Sequence, residues 1–478
     1  MPAARTPRPL DAVFARAQML DRRGQREEAR RAYLDVLSQD MRYPGALTSL
    51  GALLSAQGYR GAARTAYQQA IDCHPRDPAG YVNLANLLRT DGAPDAARAH
   101  YEAALRLDPA LAEAHQGMSY IMMEQGDAAA AEKHRRLGFA TRSLTTTPYR
   151  GAGRGVTVLQ LVSSLGGNIP TRHLLPDQVF QTHSLVADYA DQATALPAHD
   201  VVLNAIGDAD LCRAGLAAAE ALLASSRARV INRPRNVLAT GRQDIATRFA
   251  RVPGVVAPRM ASLSRAALQG RDVLATLAGH GLGFPLLLRA PGFHTGQHFV
   301  KLDGPEALPA ALAALPGDPL MAIAYLDASG PDGLARKYRV MMIGGRLYPL
   351  HLAISKSWKV HYYTADMADL AEYRAEEAAF LTDMPGVLGA TAMTALRTIA
   401  DRLALDYAGI DFALAPDGRL LLFEANATMV VSSPTAEPWW DYRRSAVAQV
   451  LDAVQALLLG GDEERRGPSP TAILPAGS

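Results

Sequence analysis

The chain is poor in the features that would tie it to an oxidising compartment, to nucleic acid or to a bilayer. Its 478 residues include only two cysteines, Cys73 and Cys212, too few for a disulfide framework or, by themselves, a zinc site. Neither charge is in large excess: 49 Lys and Arg stand against 47 Asp and Glu. No basic reservoir exists for gripping phosphodiester backbones, so nucleic acid is not an expected partner. No apolar run approaches the roughly 18 residues of a membrane span, and no membrane partner is expected. The opening stretch from Met1 to Pro9 lacks the apolar core of a secretory signal. Set against these absences, 49% of the residues are hydrophobic and 20% charged, enough to bury real cores. At about 100–200 residues per domain, the length predicts two to four domains. The expectation is a multidomain protein of the reducing cytoplasm.

Internal periodicity is present from the start. Gly24, Gly58, Gly92 and Gly126 recur every 34 residues, and Leu20, Leu54, Leu88 and Met122 precede them in step. Ala29, Ala63, Ala97 and Ala131 follow at a fixed offset, then Tyr33, Tyr67, Tyr101 and Arg135; Pro75 and Pro109 mark helix ends. Glycine permits the positive φ of a tight interhelical turn, alanine lets two helices approach, and tyrosine fills the space against the next unit. These residues resemble the tetratricopeptide repeat family over 10–145, an all-α solenoid of about four copies. The third copy, from Gly80-Tyr81-Val82-Asn83-Leu84-Ala85 to Pro109, follows the family pattern closely, while Arg135 and Gly138 in the fourth suggest a cap or junction. The resemblance implies a docking scaffold for a peptide or protein, or for a second copy of the chain. Tyr81, Asn83 and Asn86 are candidate groove residues, with ordinary packing the alternative for Tyr81.

After residue 145 the rhythm changes. Residues 146–155 read as a turn-rich linker. Short apolar runs then alternate with helical stretches, which predicts α/β construction. Val156–Val162, Asp200–Ala205 and Val230–Asn232 read as strands, with a helix from Arg213 to Ser225, giving a βαβ-type subdomain over 156–235. The loop Ser163–Thr171, with Gly166 and Gly167, reads either as an acceptor-substrate loop or as a plain strand-to-helix turn.

The most informative stretch is Tyr407–Asn426: a strand carrying Asp411, a Pro416-Asp417-Gly418 turn, and a returning strand carrying Glu424 and Asn426. Period-two alternation puts Glu424 and Asn426 on one face, and Asp411 can face them from the partner strand. Three hard oxygen ligands on a rigid hairpin suit Mg²⁺. Here the sequence resembles the ATP-grasp family, over roughly 156–460, with 236–460 as the nucleotide-binding and catalytic lobes of an α/β (α+β) fold.

The resemblance implies ATP and Mg²⁺ as cofactors and assigns the metal to Asp411, Glu424 and Asn426. It makes Arg289 the strand-end group that reaches the ATP phosphates, and Pro291–His298, with Gly292 and Gly296, the glycine loop over them. Two lysines of the family are replaced here, by Gln243 (beside Arg242) and by Arg289. Arg242 is therefore a further phosphate candidate. Ala322–Asp327 corresponds to the adenine hinge, with Tyr325 and Asp327 as nucleotide contacts, and Arg339 to the phosphate-contacting arginine. Lys356 is the preferred cation near the acceptor, with a surface position the other reading for Lys359 or His361. The implied reaction is ATP-dependent amide formation through an acyl phosphate, joining a small amine or carboxylate co-substrate to a peptide or protein held by the repeats. An ATP-grasp kinase and a nonenzymatic scaffold are the competing readings. His294 and His298 do not make a zinc site, Trp439-Trp440 reads as core or interface, and 461–478 as a disordered tail.

Overall fold

The computed structural model describes residues 9–140, 142–190, 195–292, 297–360, 362, 365–435 and 437–461. They form two units, one of residues up to 159 together with 176–199, the other of 160–175 and everything from 200 onward.

The first unit is built mainly from four helical hairpins: α1 (Pro9–Arg22) with α2 (Arg26–Gln39), α3 (Ala46–Ala56) with α4 (Arg60–Cys73), α5 (Pro78–Thr90) with α6 (Pro94–Leu107), and α7 (Ala112–Glu124) with α8 (Ala128–Phe139). The expected period is physically real. Gly24, Gly58, Gly92 and Gly126 all adopt positive φ in the interhelical turns, and the recurring alanines and tyrosines are buried. Helices α4 and α6 end two residues before Pro75 and Pro109, and Asp77 caps α5 by accepting from Ala79 N at 2.9 Å. The fourth copy departs for a visible reason. A Cβ on Gly138 would sit 2.8 Å from Gln116 N, so α8 lies too close to α7 for alanine. Arg135, buried where the other copies have tyrosine, pairs with Glu132 at 2.8 Å. Phe139 then stacks on Tyr189 at 5.9 Å, so a later segment covers the last hairpin.

The expected linker is partly strand. Leu144–Thr147 forms β1, which pairs antiparallel with β3 (Phe180–Val186). The boundary between units falls inside β2 (Val156–Val162), and 176–199 belongs with the repeats rather than with the second unit. This corrects the expected division at 146–155.

The second unit opens with a βαβ element: β4 (Val201–Asn204), α9 (Arg213–Leu222) and β5 (Arg229–Ile231), with β4 and β5 parallel. Asn232, at φ 57, then acts as a staple. Its Oδ1 accepts from Asp406 N and Tyr407 N at 2.9 and 2.8 Å, and its Nδ2 donates to Tyr407 O at 2.7 Å. Short helices α10 (Pro234–Leu238) and α11 (Arg242–Phe249) lead to β6 (Val255–Val256) and β7 (Met260–Leu263). After α12 (Arg265–Gln269) and α13 (Val273–Gly279) come β8 (Leu286–Arg289) and β9 (Phe299–Leu302). Helix α14 (Leu308–Ala314) and β10 (Leu320–Ala324) complete an antiparallel sheet of order β7-β10-β8-β9 over a leucine-rich core. The second sheet contains β11 (Ala335–Ile343), β12 (Arg346–Ser355), β13 (Tyr407–Leu414) and β14 (Leu420–Asn426) in the order β12-β11-β13-β14-β6. Helices α15 (Ala371–Thr382), α16 (Met384–Leu403) and α17 (Asp441–Leu459) belong to this unit. Among the described residues, no helix is long and apolar enough to cross a membrane.

The repeats make a direct stability test. A Cβ on Gly117 would collide with the Tyr101 ring, which is fully buried and tied by its hydroxyl to Asn86 Oδ1 at 2.6 Å. Gly117→Ala is expected to cost about 1–3 kcal/mol by overpacking, read as a lowered urea midpoint. An unchanged midpoint would mean that this tyrosine is not wedged between the helices.

Candidate active site

The cross-strand register of the second sheet gathers the chemistry into one row. His351 on β12 sits opposite Arg339 on β11, Arg339 opposite Asp411 on β13, and Asp411 opposite Glu424 on β14. Directly opposed residues share a face of the sheet, so four chemistry-bearing side chains from four strands lie side by side. Two register shifts border the row: Phe412 pairs with Leu422, leaving Phe423 as an extra residue, and Val340 pairs with Pro349, leaving Leu350 extra. Such bulges break alternation and re-aim side chains. As a result the sequence neighbours Phe423 and Glu424, and Leu350 and His351, line the same cavity.

Within the row the central interaction is a bidentate ion pair. Arg339 Nε and Nη2 donate to Asp411 Oδ1 and Oδ2 at 2.6 and 2.8 Å, and Lys337 Nζ lies 3.3 Å from Oδ2. Burial by itself would raise the Asp411 carboxyl, but Arg339 and then Lys337 overcome that and hold it well below the usual carboxylate range. Glu424 is paired with Arg242 Nη2 at 2.6 Å, and Arg242 opens α11 with its backbone N–H donating to Asp210. His351 is buried, and burial, with Arg339 beside it, pushes its imidazole well below the ordinary value.

The four-stranded sheet supplies the other wall of the cavity, whose volume is about 520 Å³. Arg289, the last residue of β8, reaches it; burial, then repulsion from Arg242, brings its guanidinium down to about 10. Its guanidinium carbon lies 5.8 Å from the centre of the Phe299 ring. Next to this cationic end is an apolar slot of Met260, Leu287, Ile323, Tyr325, Leu326 and Trp358. Lys301 Nζ stands 4.5 Å over the Tyr325 ring.

The sequence-predicted residues distribute unevenly. Arg242, Arg289, Tyr325, Arg339, Asp411 and Glu424 all line the cavity. Asn426 is buried beyond it, and its Oδ1 accepts from Thr428 N and Oγ1 at 2.9 and 2.8 Å. Asp327 is exposed and caps its own turn, accepting from Ser329 N at 3.0 Å. Lys356 is exposed and outside the lining, where Lys359 stands instead. Gly292 occupies an exposed turn at φ 82, and Gly296 lies outside the described residues. The Ser163–Thr171 loop is closed by its own Asn168, which accepts from Ser163 N and donates to Ser163 O, both at 2.8 Å. No helix follows it, so it is not a strand-to-helix turn. In the repeats, Asn86 is committed to Tyr101, and Tyr81 donates to Pro75 O at 3.2 Å. Sequence reasoning missed His351, Glu377 and Arg443, which lie in or behind the cavity wall; no motif marks them.

The donor set bears on the expected metal. Both Asp411 oxygens accept from Arg339, Glu424 faces Arg242, and the Asn426 oxygen is taken by Thr428. Two carboxylates therefore meet four cations: Arg242, Arg289, Lys337 and Arg339. Among the described residues no group of three His, Cys, Asp or Glu side chains is placed to hold an ion. As arranged, these residues fit a phosphate-bearing anion and do not fit a divalent cation.

Comparison with known proteins speaks to the repeats. Residues 66–99 match the tetratricopeptide repeat family model, so the N-terminal region carries a tetratricopeptide repeat, consistent with a solenoid of such units. No curated protein matches the chain. Among solved structures, PilF of Pseudomonas aeruginosa is 21% identical and covers 27% of this chain and 59% of its own, with a TM-score of 0.26. A thermophilic tetratricopeptide repeat protein of Thermus thermophilus is 19% identical, covering 28% of this chain and 74% of its own, at a TM-score of 0.26. MamA from Desulfovibrio magneticus RS-1 is 19% identical, covering 26% and 71%, at 0.24. At these values no activity follows from the likenesses.

The central pair has a measurable consequence. Arg339→Met leaves the buried Asp411 carboxylate with Lys337 alone, and removing one partner of a buried pair costs about 3–5 kcal/mol. The loss is expected in urea unfolding at neutral pH. It should shrink in acid: a carboxyl held low contributes its stability above the ordinary carboxylate range and loses it as pH falls toward the folded-state value. Equal urea midpoints for wild type and variant at pH 7 would refute the pair's structural role.

Proposed function

We propose that the second unit is an ATP-dependent carboxylate–amine ligase of the ATP-grasp type, whose substrate is a peptide or protein recruited by the repeats. The observation that carries the reading is the excess of cations over carboxylates in one cavity lined from two sheets, with an apolar slot beside it. Its volume of about 520 Å³ is in the range of small-molecule sites, about 300–1,000 Å³. Triphosphate oxygens suit the cationic end, and a purine suits the slot of Met260, Ile323, Tyr325 and Leu326.

In this reading ATP is consumed as a substrate. A carboxylate oxygen bonds to the γ-phosphorus while the bond from that phosphorus to the β-bridging oxygen breaks, giving an acyl phosphate and ADP. An amine nitrogen then bonds to the acyl carbon, the carbon–oxygen bond to phosphate breaks, and the amine's proton passes to solvent. Phosphoryl transfer asks the protein mainly for positioning and charge stabilisation. Arg289 and Arg242 offer donors from two directions to the transferring group. Arg339, held by Asp411, keeps a fixed positive charge behind it, and Lys337 adds a second. Glu424 holds Arg242 in place. Magnesium is the counter-ion the family resemblance implies, but the donor geometry gives it no seat.

The repeats enter as a recruiting surface, since tetratricopeptide repeats commonly mediate contacts between proteins. A second contact on the same chain raises the effective concentration of a large substrate at the catalytic unit.

The test is calorimetric binding of a non-hydrolysable ATP analogue to the full chain and to Arg289→Met. A hydrogen bond to a charged group contributes about 1.5–3 kcal/mol, so the variant is expected to bind at least about tenfold more weakly. Absence of analogue binding to folded wild type, or equal affinity in the variant, would overturn the assignment of the cationic end.

A further inference from the structure

The charged row does not end the cavity at His351. Beyond it the wall is made by Tyr362, Trp440 and Arg443, with Leu350, Val360 and Met429 alongside. Arg443, on α17, is 8% exposed. Its guanidinium carbon lies 4.3 Å from the centre of the Tyr362 ring and 5.8 Å from that of Trp440. Behind it, Nε is 3.3 Å from Oε1 of Glu377, a fully buried carboxylate on α15. Glu377 is itself engaged, accepting from Tyr442 Oη at 2.5 Å, Tyr362 Oη at 3.4 Å and Leu352 N at 3.3 Å. The contact to Arg443 balances charge without hydrogen-bonding geometry: Nε is buried with no hydrogen-bond partner. The imidazole Nδ1 of His351, on the same cavity wall, is likewise buried without one.

Buried polar groups are almost always satisfied, and each one left unmade costs about 1–3 kcal/mol. An arginine held by its faces against aromatic rings keeps its N–H groups in the plane of the guanidinium, at the ring edges. That arrangement suits a planar, anionic, two-oxygen acceptor, which takes two parallel hydrogen bonds. Phosphate is better served at the other end of the cavity, where four cations converge on a site with two carboxylates. At the Arg443 end one cation already stands against one carboxylate, Glu377, and the surroundings are aromatic and aliphatic. A singly charged group with an apolar body matches that balance.

We propose that the Arg443 end of the cavity is a binding site for the carboxylate of a small organic acid with an apolar body. Its role as the non-nucleotide co-substrate rests on the ligase reading above; binding itself does not. Tyr362 and Trp440 hold the guanidinium, Glu377 fixes its orientation, and Leu350, Val360 and Met429 take the body of the acid.

The probe is benzoate, with benzamide as its uncharged counterpart, observed by saturation-transfer NMR on the full-length protein. Calorimetry of the ATP analogue runs in parallel. Benzoate is expected to bind saturably and at least about tenfold more tightly than benzamide, a difference of about 1.4 kcal/mol. Arg443→Met is expected to abolish that preference while analogue binding persists. Because Arg443→Met strands the Glu377 charge, Arg443→Met with Glu377→Gln is measured beside it; this pair removes both charges and is expected to lose benzoate equally. Benzoate binding no tighter than benzamide, or unchanged in the folded double variant, with the analogue still bound to wild type, would overturn the carboxylate site and leave the ligase reading standing. Benzoate binding that depends on Arg443 in a protein that does not bind the analogue would uphold the site and sink the ligase reading.

Discussion

The bidentate contact between Arg339 and Asp411 is the constraint on which the second unit turns. Two charges are removed from water at neighbouring positions of adjacent central strands, and each is tolerable only because the other is there. The pair fixes the register of β11 against β13, since a one-residue slip would send both side chains to the opposite face. It also sets the electrostatics of the cavity. Asp411 is held ionised, with both oxygens accepting from Arg339 and Lys337 beside them.

The cavity is therefore graded in charge along its length. Arg242 and Arg289 repel each other at one end, and Glu424 offsets Arg242 only in part. In the middle, Lys337 and Arg339 share one carboxylate, and His351 is kept neutral by burial beside them. At the far end Arg443 stands before Glu377, one charge against one, within aromatic rings. A polyanion is best accommodated where cations are in surplus, and a monoanion where they are nearly balanced. The two ends thus differ in the balance of their own charges.

Parts of this were legible in the sequence for reasons of range. The 34-residue period is written locally, residue by residue, so the glycines, alanines and tyrosines of the repeats announced their roles. The hairpin from Tyr407 to Asn426 was equally local, and it does bring Asp411 opposite Glu424. What failed were inferences that depend on distant partners. Thr146 and Thr147 read as linker because the strand that pairs with them lies more than thirty residues later. The reading of Arg339 as a phosphate contact carried no sign of its pairing with Asp411, 72 residues away. Asn426 followed Glu424 by simple alternation, yet its oxygen is taken by Thr428, two residues on. Lys356 and Lys359 are both cations just past one strand, and only packing tells which of them meets the cavity.

The bulges and the buried arginine show a deeper limit. Strict alternation predicts that Phe423 and Glu424 point to opposite faces, as it does for Leu350 and His351. The extra residue in each strand overturns that, and no residue type in either segment signals it. Glu377 follows Glu376 in a helix rich in alanine and glutamate; one pairs with the half-buried Arg336 and the other is sealed behind Arg443. Composition alone cannot separate two adjacent glutamates. Burial can, because a fully buried carboxylate requires a cation and hydrogen-bond donors, and those it finds on α17, β12 and the neighbouring tyrosines. The same requirement is met differently at Arg443: its Nε faces Glu377 at 3.3 Å without hydrogen-bonding geometry, while the residue lines the cavity on its other side. The row that anchors the sheet and the arginine beyond it are thus two solutions to one problem. The first closes a buried guanidinium on a carboxylate with two hydrogen bonds, and the second sets one against a carboxylate by charge alone.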